Sequence, residues 1–270
     1  MRALRTFTAL LLASLVPAEV CLGADATDTR IALSANGETL TGTNGGGGAS
    51  LGLLHNFDAE SLGSVSVEHQ GIANSNWTFG SVLGSLGRTW GGAHYSVYGE
   101  AHEGAGVEGT RHFHYEIEAV GVAGTFFRRL TATLEDRQIS VPPTHGNLPK
   151  LSLSYLWDPH LSTTASFSSS VSGNLGTHLG AVRIDYYGSA LNFLAGAAYG
   201  QASPVVLDIN IGLDIPGTRL REGYAGFSKP FPHARGELTL VGDYLDLSGN
   251  KRVTLTLSYI FHIGHAGSAR

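Results

Sequence analysis

The chain has 270 residues, of which 14% are charged and 37 are Gly, with one Cys, one Met and a net charge of −5. Only three Lys (Lys150, Lys229, Lys251) and an acidic balance exclude a basic nucleic-acid-binding surface, and no apolar run reaches the ~18 residues a transmembrane helix needs. Charge so far below the ~25% of soluble domains, beside 42% apolar residues, argues against a surface solvated on all sides.

Taken from the start, Arg2 and Arg5 form a basic n-region, and Phe7 to Val16 form an apolar stretch. Pro17 breaks it, and Ala24-Asp25-Ala26 offers small residues at the two positions a signal peptidase reads. We read residues 1–26 as a signal peptide that exports the chain. Ala18-Glu19-Val20 before Cys21 lacks the small, apolar character of a lipobox. Cleavage after Ala26 leaves no cysteine, so disulfide, thiol and cysteine–metal chemistry are excluded.

From Thr27 onward apolar residues recur with period two. His112-Phe113-His114-Tyr115-Glu116-Ile117-Glu118-Ala119, Leu151-Ser152-Leu153-Ser154-Tyr155 and Val253 to Phe261 all alternate, which is the pattern of strands with two unlike faces. No comparable 3.6-residue periodicity follows the leader. Short connections are expected at 58–60, Gly87-Arg88, Gly121 to Gly124, 158–160, Gly188-Ser189 and 229–233. Longer ones are expected at 42–48, 70–76, 103–110, 140–149, 172–176, 201–217 and 248–250.

The segments sum to an all-β, transmembrane, antiparallel up-and-down barrel of about 14 strands over 27–261, or 12 if weak segments merge, with a tail over 262–270. Residues 205–215 alternate well and would make the count odd, so they are placed on the loop side. A soluble β-sandwich also alternates. Lipid is favoured because the polar face is rich in Ser, Thr, Gly and His with few charges, and because aromatics such as Phe57, Trp90, Phe127 and Trp157 gather beside turns, as interfacial girdles do. Barrel closure also removes the unpaired edges that hydrocarbon does not tolerate.

The final strand, with Tyr259 and Phe261 alternating, resembles the C-terminal recognition signal of Gram-negative outer-membrane proteins. That resemblance implies insertion by the barrel-assembly machinery into the outer membrane, against its lipid and lipopolysaccharide. The nine residues from His262 to Arg270 depart from the pattern, since many such proteins end at the aromatic. Arg221-Glu222-Gly223-Tyr224-Ala225-Gly226-Phe227, followed by a turn and two strands, resembles the YaiO-type outer-membrane barrel family over the chain from Leu151. Members often carry helical repeats before the barrel, which this chain lacks, and the resemblance implies a link to envelope polysaccharide.

Twelve His invite a chemical reading. Folding the chain over a 103–110 loop sets His102 opposite His112, Glu100 opposite His114 and Tyr98 opposite Glu116, with Glu118 beyond, all on the lumen face. Such a ladder either binds Zn²⁺ or runs acid–base chemistry, or only satisfies polar groups inside the barrel. Parity puts Glu100, Glu116, Glu118, Glu135, Asp185, Glu222, Glu237 and Asp243 inward against Arg129, Arg137 and Arg183, so an open pore leans toward cations.

The Ser166 to Ser170 region has no neighbouring His or nucleophile elbow, and neither HExxH nor a phosphate loop occurs, so no cofactor is implied. Three functions stay open. The first is a porin-like narrow channel or envelope component for small or saccharide solutes. The second is a plugged structural or surface-interaction barrel, and the third is a barrel enzyme using the His/Glu cluster.

Overall fold

The computed structural model describes residues 28–263, except 42–44, 59, 73–74, 143, 203–217 and 232–234. The leader, the 205–215 segment and His265 therefore lie outside the described residues.

The described chain forms β1 (Thr29–Leu40), β2 (Gly46–Asn56), β3 (Ser61–Ile72), β4 (Ser75–Trp90), β5 (Ala93–Glu108), β6 (Arg111–Phe126), β7 (Leu130–Val141) and β8 (Thr144–Asn147). It continues with β9 (Lys150–Asp158), β10 (Leu161–Ser169), β11 (His178–Tyr187), β12 (Asn192–Ala202), β13 (Thr218–Phe231), β14 (Gly236–Leu247) and β15 (Asn250–Ile263). Each wall strand pairs antiparallel with its neighbours, and β1 pairs with β15 from Thr29↔Ile263 to Leu40↔Arg252. The ring closes without an edge, as a sheet in hydrocarbon must.

Fourteen strands make the wall, as the alternation predicts. The fifteenth, β8, pairs only with the upper end of β7 (Gln138↔Asn147 to Val141↔Thr144), while the lower end of β7 pairs with β9. Leu148 and Pro149 interrupt what would otherwise be one strand, since Pro has no N–H for the ladder. His262, expected in a free tail, is part of β15, paired with Arg30.

Turns differ from expectation at several Gly. Gly87-Arg88 and Gly121 to Gly124 lie inside β4 and β6, and the reversals fall at Gly91-Gly92 and at 127–129. Gly91 and Gly92, and then Phe127 (φ 54°) and Arg128 (φ 56°), carry paired positive φ, the geometry of a two-residue turn matched to strand twist. At the β2–β3 turn the Glu60 N–H donates to Asp58 Oδ1 at 2.8 Å, which with the Ser61 hydroxyl holds that carboxyl below its ordinary pKa.

The Gly inside the strands has another cause. On the lumen face the Tyr98 ring lies over Gly121, Tyr115 over Gly104 and Tyr224 over Gly196, and a Cβ at any of these Gly would collide with the ring. The high Gly count is in part the floor on which inward aromatics lie flat.

Outward positions are apolar and uncovered: Leu33, Leu51, Val65, Val97, Leu255 and Leu257 are all exposed. β4, β5 and β6 have 16 residues against 9 in β9 and β10, so the wall stands about 20 Å taller on that side. Polar outward residues gather on this extension. Leu257 sits mid-belt, so Leu257→Arg should lower stability in vesicles by about 2–4 kcal/mol. Leu257→Met should be neutral, both read from urea refolding midpoints.

Candidate functional site: the barrel lumen

The inward faces stack in three storeys, named from the end where Thr29 and Ile263 meet. The lowest encloses a cavity of about 430 Å³. Set among aliphatic and charged side chains, its wall carries hydroxyls that bond across strands: Ser66–Ser81 at 2.6 Å, Thr125–Thr131 at 2.9 Å and Ser154–Thr164 at 2.7 Å. In each pair one hydroxyl donates and the other keeps a hydrogen to turn toward the void. Small β-branched or short side chains on facing strands leave that space unfilled.

The middle storey is charged and almost entirely buried. Arg137 Nη2 lies 3.1 Å from Glu135 Oε1 and 3.6 Å from Glu100 Oε2, and Tyr98 OH donates to Glu135 Oε2 at 2.6 Å. His102 Nε2 is 2.6 Å from Glu100 Oε1. Around the ring, Arg183 Nε donates to Asp185 Oδ1 at 2.8 Å, and Gln70 Nε2 donates to Glu38 Oε1 at 2.7 Å. Arg252 Nε stands 4.0 Å from Glu38 Oε2. These contacts lock acids to bases, the condition under which charge is tolerated away from water.

The upper storey is apolar. Leu40, Trp77, Phe79 and Tyr115 pack together with Phe113 and Val141. Ile117, Ile139, Leu148 and Leu175 form a second cluster, and Leu220, Leu245 and Leu247 belong to a third. Trp77 and Tyr115 are each only 1% exposed. Leu175 arrives from the connection between β10 and β11, which is clipped to β8 by Val171 N–H donating to Asn147 O (3.1 Å) and Asn174 N–H donating to His145 O (2.9 Å). Side chains thus fill the upper lumen.

Of the seven residues of the expected ladder, the structure gathers three. Tyr98, Glu100 and His102 face inward and meet Glu135 and Arg137. His112, His114, Glu116 and Glu118 face outward and are exposed. The 103–110 loop does not exist: β5 runs to Glu108, β6 begins at Arg111, and His102 pairs with Ile117, five residues beyond His112. An odd shift of register moves every side chain of a strand to the other face. Tyr98 accordingly lies opposite Gly121, and Glu100 opposite Ala119. The two-His, two-carboxylate arrangement for Zn²⁺ or acid–base work is not assembled.

Lumen charge changes with it. Glu116 and Glu118 leave the acidic tally, Arg129 sits exposed in a turn, and Glu38, Lys150 and Arg252 join the inward set. Parity along β1 (Ser34, Asn36, Glu38) and β15 (Arg252, Thr254, Thr256) carries the signal for two of these. Tyr259 and Phe261 lie on the outward face near the lower end, ring centroids 4.4 Å apart.

No protein-family model matches the chain, and no curated protein matches it in sequence. Solved structures do resemble it in fold. The CymD monoaromatic hydrocarbon channel superposes with a TM-score of 0.65 at 10% identity, covering 93% of this chain and 92% of that one. A Pseudomonas aeruginosa FadL homologue gives 0.58 at 9%, covering 91% and 92%. The Acinetobacter baumannii outer membrane protein Omp33 gives 0.53 at 12%, covering 87% and 99%. At these identities the likeness establishes the closed barrel fold and nothing finer.

Proposed function

We propose that the chain is an outer-membrane barrel of the narrow-channel type, exported by its leader and inserted with Tyr259 and Phe261 as the assembly signal. The proposed cargo is a small, uncharged, hydroxyl-bearing solute of the saccharide kind. The observation that carries this reading is the lower cavity, whose wall sets Ser and Thr hydroxyls among apolar side chains and whose charges are mostly spent on one another. Hydroxyls that can both donate and accept suit a solute that does both, and apolar side chains between them suit the carbon faces of a sugar.

Support for the location comes from the uncovered apolar belt and from a fold shared with outer-membrane proteins. The resemblance to YaiO-type barrels from Leu151 adds a saccharide-rich envelope as the setting. The filled upper storey favours a second reading, a plugged structural barrel, and one experiment separates the two. Vesicles carrying the refolded protein should swell in isosmotic glucose and resist swelling in a large dextran. No swelling in either would sink the channel and leave the plug.

A further inference from the structure

Among the described residues, the buried lumen acids have partners, except for one pair. Glu100 and Glu135 have Arg137, Asp185 has Arg183, and Glu38 has Gln70 and Arg252. Glu222 on β13 and Asp243 on β14 come within reach of each other across the strand pair, and Arg252 on β15 is the cation beside them. Asp243 is 3% exposed, and both its oxygens lack a hydrogen-bond donor, as does Glu222 Oε2.

Thr254 stands directly opposite Asp243 on β15. It is 1% exposed, and its Oγ1 also has no partner. Three strands therefore aim unpartnered oxygens at one place. Apolar layers enclose it, with Leu220 and Leu245 above and Tyr224 and Val241 below. The adjacent cation, Arg252, is shared: it stands 4.0 Å from Glu38 and also acts on Glu222 and Asp243.

Two ionised carboxylates closed off from water by hydrocarbon are strongly unfavourable unless something positive joins them. We propose that Glu222, Asp243 and Thr254 form a buried site for a divalent, oxygen-seeking cation of the calcium type. Arg252 offsets only one of the three carboxylates of Glu38, Glu222 and Asp243, and a charge of +2 balances the remaining two, which a monovalent ion or a single proton does not. All the ligands are oxygens, which excludes metals that prefer nitrogen or sulfur. Irregular sets of carboxylate, hydroxyl and water oxygens suit Ca²⁺, whereas Mg²⁺ demands a near-ideal octahedron. The ion would tie β13, β14 and β15 together beside the seam where β15 closes on β1, and so act on barrel closure instead of on the cavity below.

Because the site is enclosed, the ion has to enter during folding. The full chain is refolded into detergent from denaturant with CaCl₂ or with EDTA. Calcium retained after gel filtration and the urea midpoint are then measured. Wild type should retain about one calcium per chain and show a higher midpoint in calcium. Glu222→Gln with Asp243→Asn should retain none and have the same midpoint in calcium and EDTA. Thr254→Val should weaken calcium about tenfold. Glu116→Gln with Glu118→Gln, which removes outer-wall acids, should behave as wild type.

Equal calcium in wild type and the Glu222/Asp243 variant would overturn the assignment. So would a wild-type midpoint blind to calcium. If that midpoint instead falls as pH is raised, and does so only with both acids present, the pair shares a proton and holds no metal.

Discussion

Arg137→Ala should destabilise the barrel by about 3–5 kcal/mol, because it takes from two buried carboxylates the one cation that contacts both. Glu100 and Glu135 are 8% and 4% exposed, and both reach Arg137 Nη2. The guanidinium is thus the cation that contacts both, while Lys150, opposite Glu135 on β9, acts at longer range. Urea titration in vesicles, followed by the gel shift of folded barrel, reads the loss. Adding Glu100→Gln and Glu135→Gln to Arg137→Met should recover most of it, since a buried ion cluster is far costlier to break than to replace entirely. If Arg137→Ala alone falls within about 0.5 kcal/mol of wild type, water reaches the middle storey and the buried-network account is wrong.

Opening the upper storey should raise the conductance of the lumen. Trp77 and Tyr115 are the largest fully buried side chains, on β4 and β6 with β5 between them, and Tyr115 lies over Gly104 of that middle strand. Replacing both by Ala removes two rings from a layer only a few side chains deep. Planar-bilayer recordings should then show discrete conductance steps larger than any in wild type. Each truncation of a buried aromatic costs roughly 3–5 kcal/mol, so folding is checked in the same sample by the gel shift. Folded double variant with wild-type conductance would mean that the seal lies elsewhere in the lumen. The Leu175 cluster, held by the β10–β11 connection, would then be the next candidate.

Strand content and facing were legible where one face is apolar and the other polar without interruption, as in β9 and β15. The count of fourteen followed from summed lengths and the need for an even ring. Reading failed at glycine. Gly121 and Gly124 look like a turn, yet one lies beneath the Tyr98 ring and the other beside Phe126 and Tyr95. A residue that permits a turn and a residue that makes room for a ring are the same letter. The 103–110 stretch, with Gly104, Gly106 and Gly109, failed likewise: the first two admit Tyr115 and Phe113, and only Gly109 (φ 59°) turns the chain.

That single misplacement decided the fate of the expected site. His112, His114, Glu116 and Glu118 alternate as well outward as inward, because alternation has a period but no sign. Composition offers no basic surplus, no apolar run long enough for a membrane helix and no second cysteine for a disulfide, and period two determined a two-faced β wall with its apolar side toward lipid. Only tertiary structure decided which polar row faces the lumen, that the lumen charges are largely paired, and that Glu222, Asp243 and Thr254 converge from three strands. Those are facts of register between strands, set by pairing and ring packing across neighbours, and no single strand's sequence contains them.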